Sequence, residues 1–260
     1  MEFTLEDLFF NIPIYTKIEI NDSNVNQLTD LTSENTVVEG YNPLRKAQST
    51  FQISTKINYL NPNFFENGGH SRVVLKCKRY GDFFNFYFYL SIDDYKLMKV
   101  GQYPSVADFH IGEINQYKKL IPNEKLREFT KAIGLAANGV GIGSYVYLRR
   151  IFEYLIDEAY KLALEEGNIS EADYQRARMD QKIDLLHNYL PAFLLENKGM
   201  YSILSKGVHE LDENTCLAHF DTLRVGIEII LDEKLDELRK KEKVEAAKKK
   251  LQELKGQIKP

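Results

Sequence analysis

The 260-residue chain has no tryptophan, only two cysteines, seven prolines and no apolar run near the ~20 residues that span a bilayer. Each absence excludes something. Cys77 and Cys216 stand far apart with no Cys-x-x-Cys, which rules out a disulfide scaffold and a cysteine-built zinc ribbon and fits a reducing compartment. His70, His110, His187 and His219 share no ligand-like spacing with one another or with the cysteines, so no metal site is expected. No motif asks for a cofactor. The opening MEFTLEDLFF lacks a basic region ahead of its short apolar stretch, so a signal peptide is not expected. A cytoplasmic protein without a membrane span is the expectation. An excess of one charge is missing too: 34 Lys and Arg against 38 Asp and Glu give a net −4, so bulk charge does not mark a polyanion binder. At 43% apolar and 28% charged, the composition is globular.

What is present changes character near Pro104. Before it, aromatic and β-branched residues dominate. Val73, Leu75 and Cys77 alternate with Lys76 and Lys78, Tyr80-Gly81-Asp82 turns the chain, and Phe84, Phe86, Phe88 and Leu90 alternate with Asn85, Tyr87 and Tyr89. Two period-two runs around a Gly-Asp turn predict a β-hairpin. Phe51–Tyr59 and Asn11–Ile20 predict two more strands, the latter at an edge because of Pro13, and residues 21–35 and 61–69 read as loops. Aromatics on both faces of residues 83–90 predict that the hairpin is buried on both sides, against a seam with the rest of the chain.

After Pro104 the period becomes helical. Ser105-x-x-Asp108 predicts a capped helix to about Leu120, burying Val106, Phe109, Ile114 and Tyr117. Helices are expected over 124–138, over 144–165 with the stripe Leu148, Ile151, Phe152, Leu155, Ala159 and Leu162, and from a Ser170-x-x-Asp173 cap to about Tyr189. From about Asp212 to Lys255, three-and-four spacing predicts one helix of about 65 Å. The fold class is therefore α+β: a β-rich module over 1–104, a helical bundle over 105–238 with a long C-terminal helix, and a basic tail over 239–260. That tail carries nine Lys or Arg against three Glu.

Chemistry is sparse. GLAANGVGIGS (134–144) lacks the Lys that a phosphate loop needs and follows a helical pattern, so its glycines read as a helix bend or a close approach. Arg149 has Glu153 in i,i+4 reach, which reads as an ion pair or a phosphate ligand. In YSILSKGVHEL (201–211), Tyr201, Leu204, Val208 and Leu211 form an apolar stripe beside a polar one of Ser202, Ser205, His209 and Asp212. One helix does not orient a Ser–His–Asp relay, and Asp212 reads as an N-cap. His209, with Lys206 and Glu210 nearby, is left as a candidate general base or a structural imidazole.

YLRRIFEYLIDEA (147–159) and LSKGVHEL (204–211) resemble the Arg-x-x-x-Glu first long helix and the His-bearing last core helix of the HEPN superfamily, over roughly residues 125–235. The resemblance implies a helical bundle, a homodimer and a metal-independent ribonuclease acting in RNA-directed bacterial antiviral defence or a toxin–antitoxin response. His209 matches the family's His, and Arg149 and Glu153 its first-helix pair. The family's Arg, separated from the His by four to six residues, would fall at Ser202, Ile203 or Leu204; Lys206 is the nearby base. The implied site is thus His209, Arg149, Lys206, Glu210 and Glu153, with Arg149 and His209 neighbours in space. A non-catalytic dimerisation or partner-binding scaffold is the alternative. Leu231, Leu235 and Leu238 continue the last stripe, which predicts a partner helix from a second copy or a dedicated protein.

Overall fold

A computed structural model describes residues 3–54 and 63–257. Six strands form one antiparallel sheet in the order β1-β6-β5-β4-β3-β2: β1 (Ile18–Glu19), β2 (Val37–Asn42), β3 (Ala47–Ile53), β4 (Gly69–Cys77), β5 (Phe83–Ser91) and β6 (Lys96–Tyr103). The predicted hairpin is β4–β5, with Val73 opposite Phe86 and Leu75 opposite Phe84. Gly81 takes φ +76° in its turn, where a side chain would be strained. Asp82 beside it accepts from Asn42 (3.0 Å) and from both Nε and Nη2 of Arg45 (3.0 and 2.8 Å), tying the turn to the end of β2.

The inner face of the sheet is filled from the N-terminus. A π-helical turn, Asp7–Asn11, lowers Phe9 onto Phe86 (centroids 4.8 Å apart) and Phe10 onto Phe109 (4.8 Å). That use of the segment corrects the strand expected over 11–20. Asn11 closes the turn, Tyr15 is left-handed at φ +63°, and only Ile18–Glu19 pairs, at the sheet edge. The strand expected over 51–59 begins earlier, at Ala47, and stops at Ile53; its residues 55–59 lie outside those described. β2 and β6 were not expected. Nor were the short helices α1 (Val25–Thr29) and α2 (Phe64–Asn67), which occupy parts of the expected loops.

Helices α3 (Val106–Asn115), α4 (Asn123–Ala137), α5 (Gly141–Glu165), α6 (Glu171–Arg176), α7 (Met179–Leu185), α8 (Ala192–Glu196), α9 (Gly199–His209) and α10 (Glu213–Gln257) complete the α+β fold. No helix of the described residues is long and apolar enough to cross a membrane. The capping box is formed: Ser105 N–H donates to Asp108 (2.9 Å) and Asp108 N–H to Ser105 Oγ (3.3 Å). The helix it starts tightens into a 3-10 turn at Gln116–Lys119. In α5 the buried stripe runs 155, 159, 163, so Ala163 takes the core position expected of Leu162, which is exposed. Ser170 makes no side-chain cap, and the helix expected there breaks in two at Ala177, whose backbone is extended. Tyr174 is pinned at that break, stacked on Tyr160 at 3.8 Å between centroids.

Two hydrophobic cores result, one under the sheet and one among the helices, and α3 belongs to both. Phe109 joins the phenylalanines of the sheet while Val106, Ala107 and Ile114 join the bundle. The seam is therefore made by the inner face of the sheet through α3, not by the outer face of β5. Along α10, Leu231 and Leu235 are buried in the bundle and Leu238 is half-buried. Leu231 and Leu235 are thus covered within the chain, and Leu238 only in part.

Candidate functional site

Helices α5 and α9 pack against each other at a glycine. A Cβ on Gly207 would fall 2.0 Å from Cδ1 of Tyr145, so only glycine lets the helices approach this far. The approach brings Tyr201 over Arg149. The guanidinium lies 5.4 Å from the Tyr201 ring centroid, its Nη2 donates to the Tyr201 hydroxyl (3.1 Å), its Nε donates to Glu153 (2.9 Å), and the hydroxyl donates to the same carboxylate (3.1 Å). The hydrogen bond from Arg149 to Glu153 holds the guanidinium firmly charged, and burial with the nearby Glu153 charge pushes the Tyr201 hydroxyl up. This triangle is closed, with each member spent on the other two.

The remaining residues of the implied site are elsewhere. Tyr145 meets Gly207 and Arg149 meets Tyr201, so α5 and α9 run antiparallel, and His209 lies eight residues, about 12 Å, beyond Tyr201. His209, Lys206 and Glu210 are exposed, and no side-chain hydrogen bond joins them to Arg149 or Glu153 among the described residues. The structure thus brings Arg149 and Glu153 together and leaves His209, Lys206 and Glu210 apart from them. Arg150, itself exposed, reaches back to the buried Glu128 of α4 at 2.6 Å. Asp212 does cap α10, accepting from the backbone of Asn214 (2.9 Å) and Thr215 (3.0 Å). The glycines before α5 serve close approach: Glu213 accepts from the backbone of Gly141 and Ile142, and a Cβ on Gly141 would strike α10.

A groove of about 1140 Å³ lies between α3, the Pro13–Thr16 segment and α10. His110 meets Glu113 at 3.0 Å, Arg224 holds Asp221 (3.2 Å) and Glu228 (2.7 Å), and Tyr117 donates to Asp232 at 2.8 Å. The hydrogen bond from His110 keeps Glu113 low. Burial raises Glu228, and the Glu113 charge adds to it against the pull of Arg224. Each charged side chain lining the groove has a partner in the chain, Asp7 through Thr4 and Asn11 included. The groove is a satisfied polar seam. Among the described residues, no cluster of His, Cys, Asp or Glu could hold a metal ion.

The outer face of the sheet is different. Register places His70 opposite Tyr89, Arg72 opposite Tyr87 and Lys76 opposite Phe83 across β4–β5, and Asn85 opposite Tyr103 across β5–β6. Phe83, Tyr87 and Tyr103 are 42%, 44% and 60% exposed. Among the described residues these rings stay open to solvent, contrary to the burial expected of both hairpin faces. Lys76 Nζ lies 5.8 Å from the Phe83 ring centroid, and His70 packs on Tyr89 at 4.9 Å. β4, β5 and β6 contain no Asp or Glu at any position. The nearest strand carboxylate, Glu19 on edge strand β1, pairs with Lys96 at 3.6 Å. Where β5 and β6 slip register at Tyr87/Phe88, a shallow depression of about 540 Å³ opens beside Tyr87, lined by His70, Arg72 and Gly101. Planar rings at strand spacing, flanked by cations, can stack bases and hold phosphates. Part of the signal for this face lies in the sequence: Phe83, Tyr87 and Tyr89 alternate along β5, and neither β4 nor β5 holds an acid.

No family model matches the sequence, and no curated protein and no solved structure is similar to the chain.

Proposed function

We propose that this is an RNA-binding protein that holds a single strand across the outer face of β4, β5 and β6. The observation that carries the reading is the exposure of Phe83, Tyr87 and Tyr103 on strands that hold Arg72, Lys76 and Lys96 and no carboxylate. Exposed aromatics of this size otherwise expose apolar surface at a cost, and stacking a base on each removes that surface from water while the cations meet the backbone. The wider role proposed is the one the HEPN resemblance implies, RNA-directed defence or a toxin–antitoxin response. Its cytoplasmic setting accords with two buried free thiols, Cys77 and Cys216. Ribonuclease activity has less behind it, because Arg149 is engaged by Glu153 and Tyr201 while His209 stands apart. Binding is the function proposed.

The test is fluorescence anisotropy with a labelled single-stranded RNA of mixed sequence and about 12 nucleotides, a length within the usual span of such faces. Tyr87→Ala and Tyr103→Ala each remove one stacking ring and should weaken binding about 5- to 100-fold, with no change in the circular dichroism spectrum, since both side chains are exposed. The logarithm of affinity should fall linearly with the logarithm of salt, by about 0.7 for each phosphate neutralised on a single strand. Equal affinity of the wild type and the double variant would refute the reading.

A further inference from the structure

The distal part of α10 leaves the body of the protein. Among the described residues its last side-chain tie to the body is Glu242 to Lys119 at 3.0 Å, and 15 further residues of helix project about 22 Å beyond it. On that projection Val244, Ala247, Leu251 and Leu254 follow three-four-three spacing, the a and d positions of two heptads, and Val244, Leu251 and Leu254 are 45%, 57% and 49% exposed. This stripe is separate from the buried one ending at Leu235. The pattern has shifted phase, because continuing from Leu235 and Leu238 would use Glu242, Glu245 and Lys249.

The flanks of the new stripe decide what can cover it. With Val244 at an a position, Lys243 and Lys250 occupy g, and Lys248 and Lys255 occupy e; Glu245 and Glu253 lie on the far side. None of these four lysines has an ion-pair partner among the described residues. In a parallel pairing of two copies, Lys243 would face the partner's Lys248, and Lys250 the partner's Lys255. An antiparallel pairing sets g against g and e against e, again lysine against lysine. Like charges along both edges of the seam work against self-association, whichever way the helices run.

We infer that the projecting end of α10 is a docking helix for a partner helix whose own e and g positions carry Glu or Asp. Leu251 and Leu254 supply the apolar contact and the two lysine rows choose the partner. A nucleic acid would use the lysines and leave the leucines in water; an acidic amphipathic helix uses both. The inference is independent of the sheet face.

The experiment uses the full chain and a synthetic peptide probe of three heptads, with Leu at a and d and Glu at e and g, against a control peptide with Lys at e and g. Anisotropy should show the acidic peptide binding and the basic one not. Lys248→Glu with Lys250→Glu should weaken the acidic peptide about 10-fold or more, and Leu251→Asp with Leu254→Asp should abolish binding. All four side chains are exposed, so neither variant should unfold the protein. Sedimentation equilibrium of the chain alone should give one protomer's mass from this segment: a dimer that Leu251→Asp dissociates would overturn the inference in favour of self-pairing. Acidic-peptide binding that survives Leu251→Asp with Leu254→Asp would overturn it as non-specific charge attraction. So would single-stranded RNA binding that needs Lys248 and Lys250 but not the leucines, with the acidic peptide unbound.

Discussion

Lys99 offers the most exacting test of how the β module is built. It is 1% exposed, on the inner face of β6 among the phenylalanines, with its amine donating to the carbonyls of Leu8 (2.9 Å) and Phe9 (3.1 Å) in the π-helical turn. The Phe86 ring lies 6.0 Å away, and among the described residues no carboxylate pairs with the amine. Burial without a counter-charge lowers its pKa from 10.5 to about 7. A base with a depressed folded pKa binds fewer protons folded than unfolded. Its contribution to stability therefore rises as pH climbs from about 7 towards 10.5 and is level below that window. Lys99→Met keeps the length of the side chain and removes the titration. Between about pH 7 and about pH 9.5 the wild type should gain about 3 kcal/mol of stability relative to the variant. Other titrating groups cancel in that difference. At any one pH the variant also orphans two carbonyls, at about 1–3 kcal/mol each, so the slope and not the sign at a single pH is the test. Urea unfolding of both proteins across that range measures it. A difference that stays flat with pH would show that the amine reaches water or a carboxylate, and the account of the inner face would be wrong.

Two further outcomes follow from the helix pair. Gly207→Ala forces α9 off Tyr145 and should cost about 3 kcal/mol, lowering the thermal midpoint by about 6 °C or more; an unchanged midpoint would mean that the helices do not approach to this depth. His209→Ala should leave stability within about 0.5 kcal/mol and RNA affinity within about twofold, because the imidazole is exposed and holds nothing. A cleavage product made by the wild type and lost in that variant, read on a denaturing gel, would return His209 to a catalytic role.

Where one residue and its neighbours decide the local structure, the sequence was legible. Val73, Leu75, Phe84 and Phe86 alternate because one face meets a core, and Ser105 with Asp108 closes a helix start within four residues. Strand β6 was not legible, and Lys99 is the reason. A lysine at an inward position breaks the apolar alternation, and the register slip beside Val100 then shifts its phase. What licenses that lysine is a pair of carbonyls some 90 residues earlier. The short β2 hides in the same way: Gly40 interrupts its pattern because the Phe10 ring occupies the space of a side chain there. Arg149 and Glu153 were visible as an i,i+4 pair, whereas Tyr201 read as apolar core. Its hydroxyl finds its partners only once α9 is laid antiparallel on α5.

Both proposed surfaces were hard to read from composition for one electrostatic reason. A net charge of −4 argues against polyanion binding only if the charges are mixed, and here they are not. β4, β5 and β6 carry no acid, and the distal end of α10 gathers lysine along both edges of an apolar stripe while its glutamates face away. At physiological salt an exposed charge is felt over about 8 Å, much less than the breadth of the protein, so carboxylates elsewhere do not cancel either patch. Aromatic rings beside cations suit a base and its phosphate; leucines between lysine rows suit an acidic helix. The shape of the apolar group between the charges, flat rings on a sheet or a ridge on a helix, is what separates the two proposed ligands.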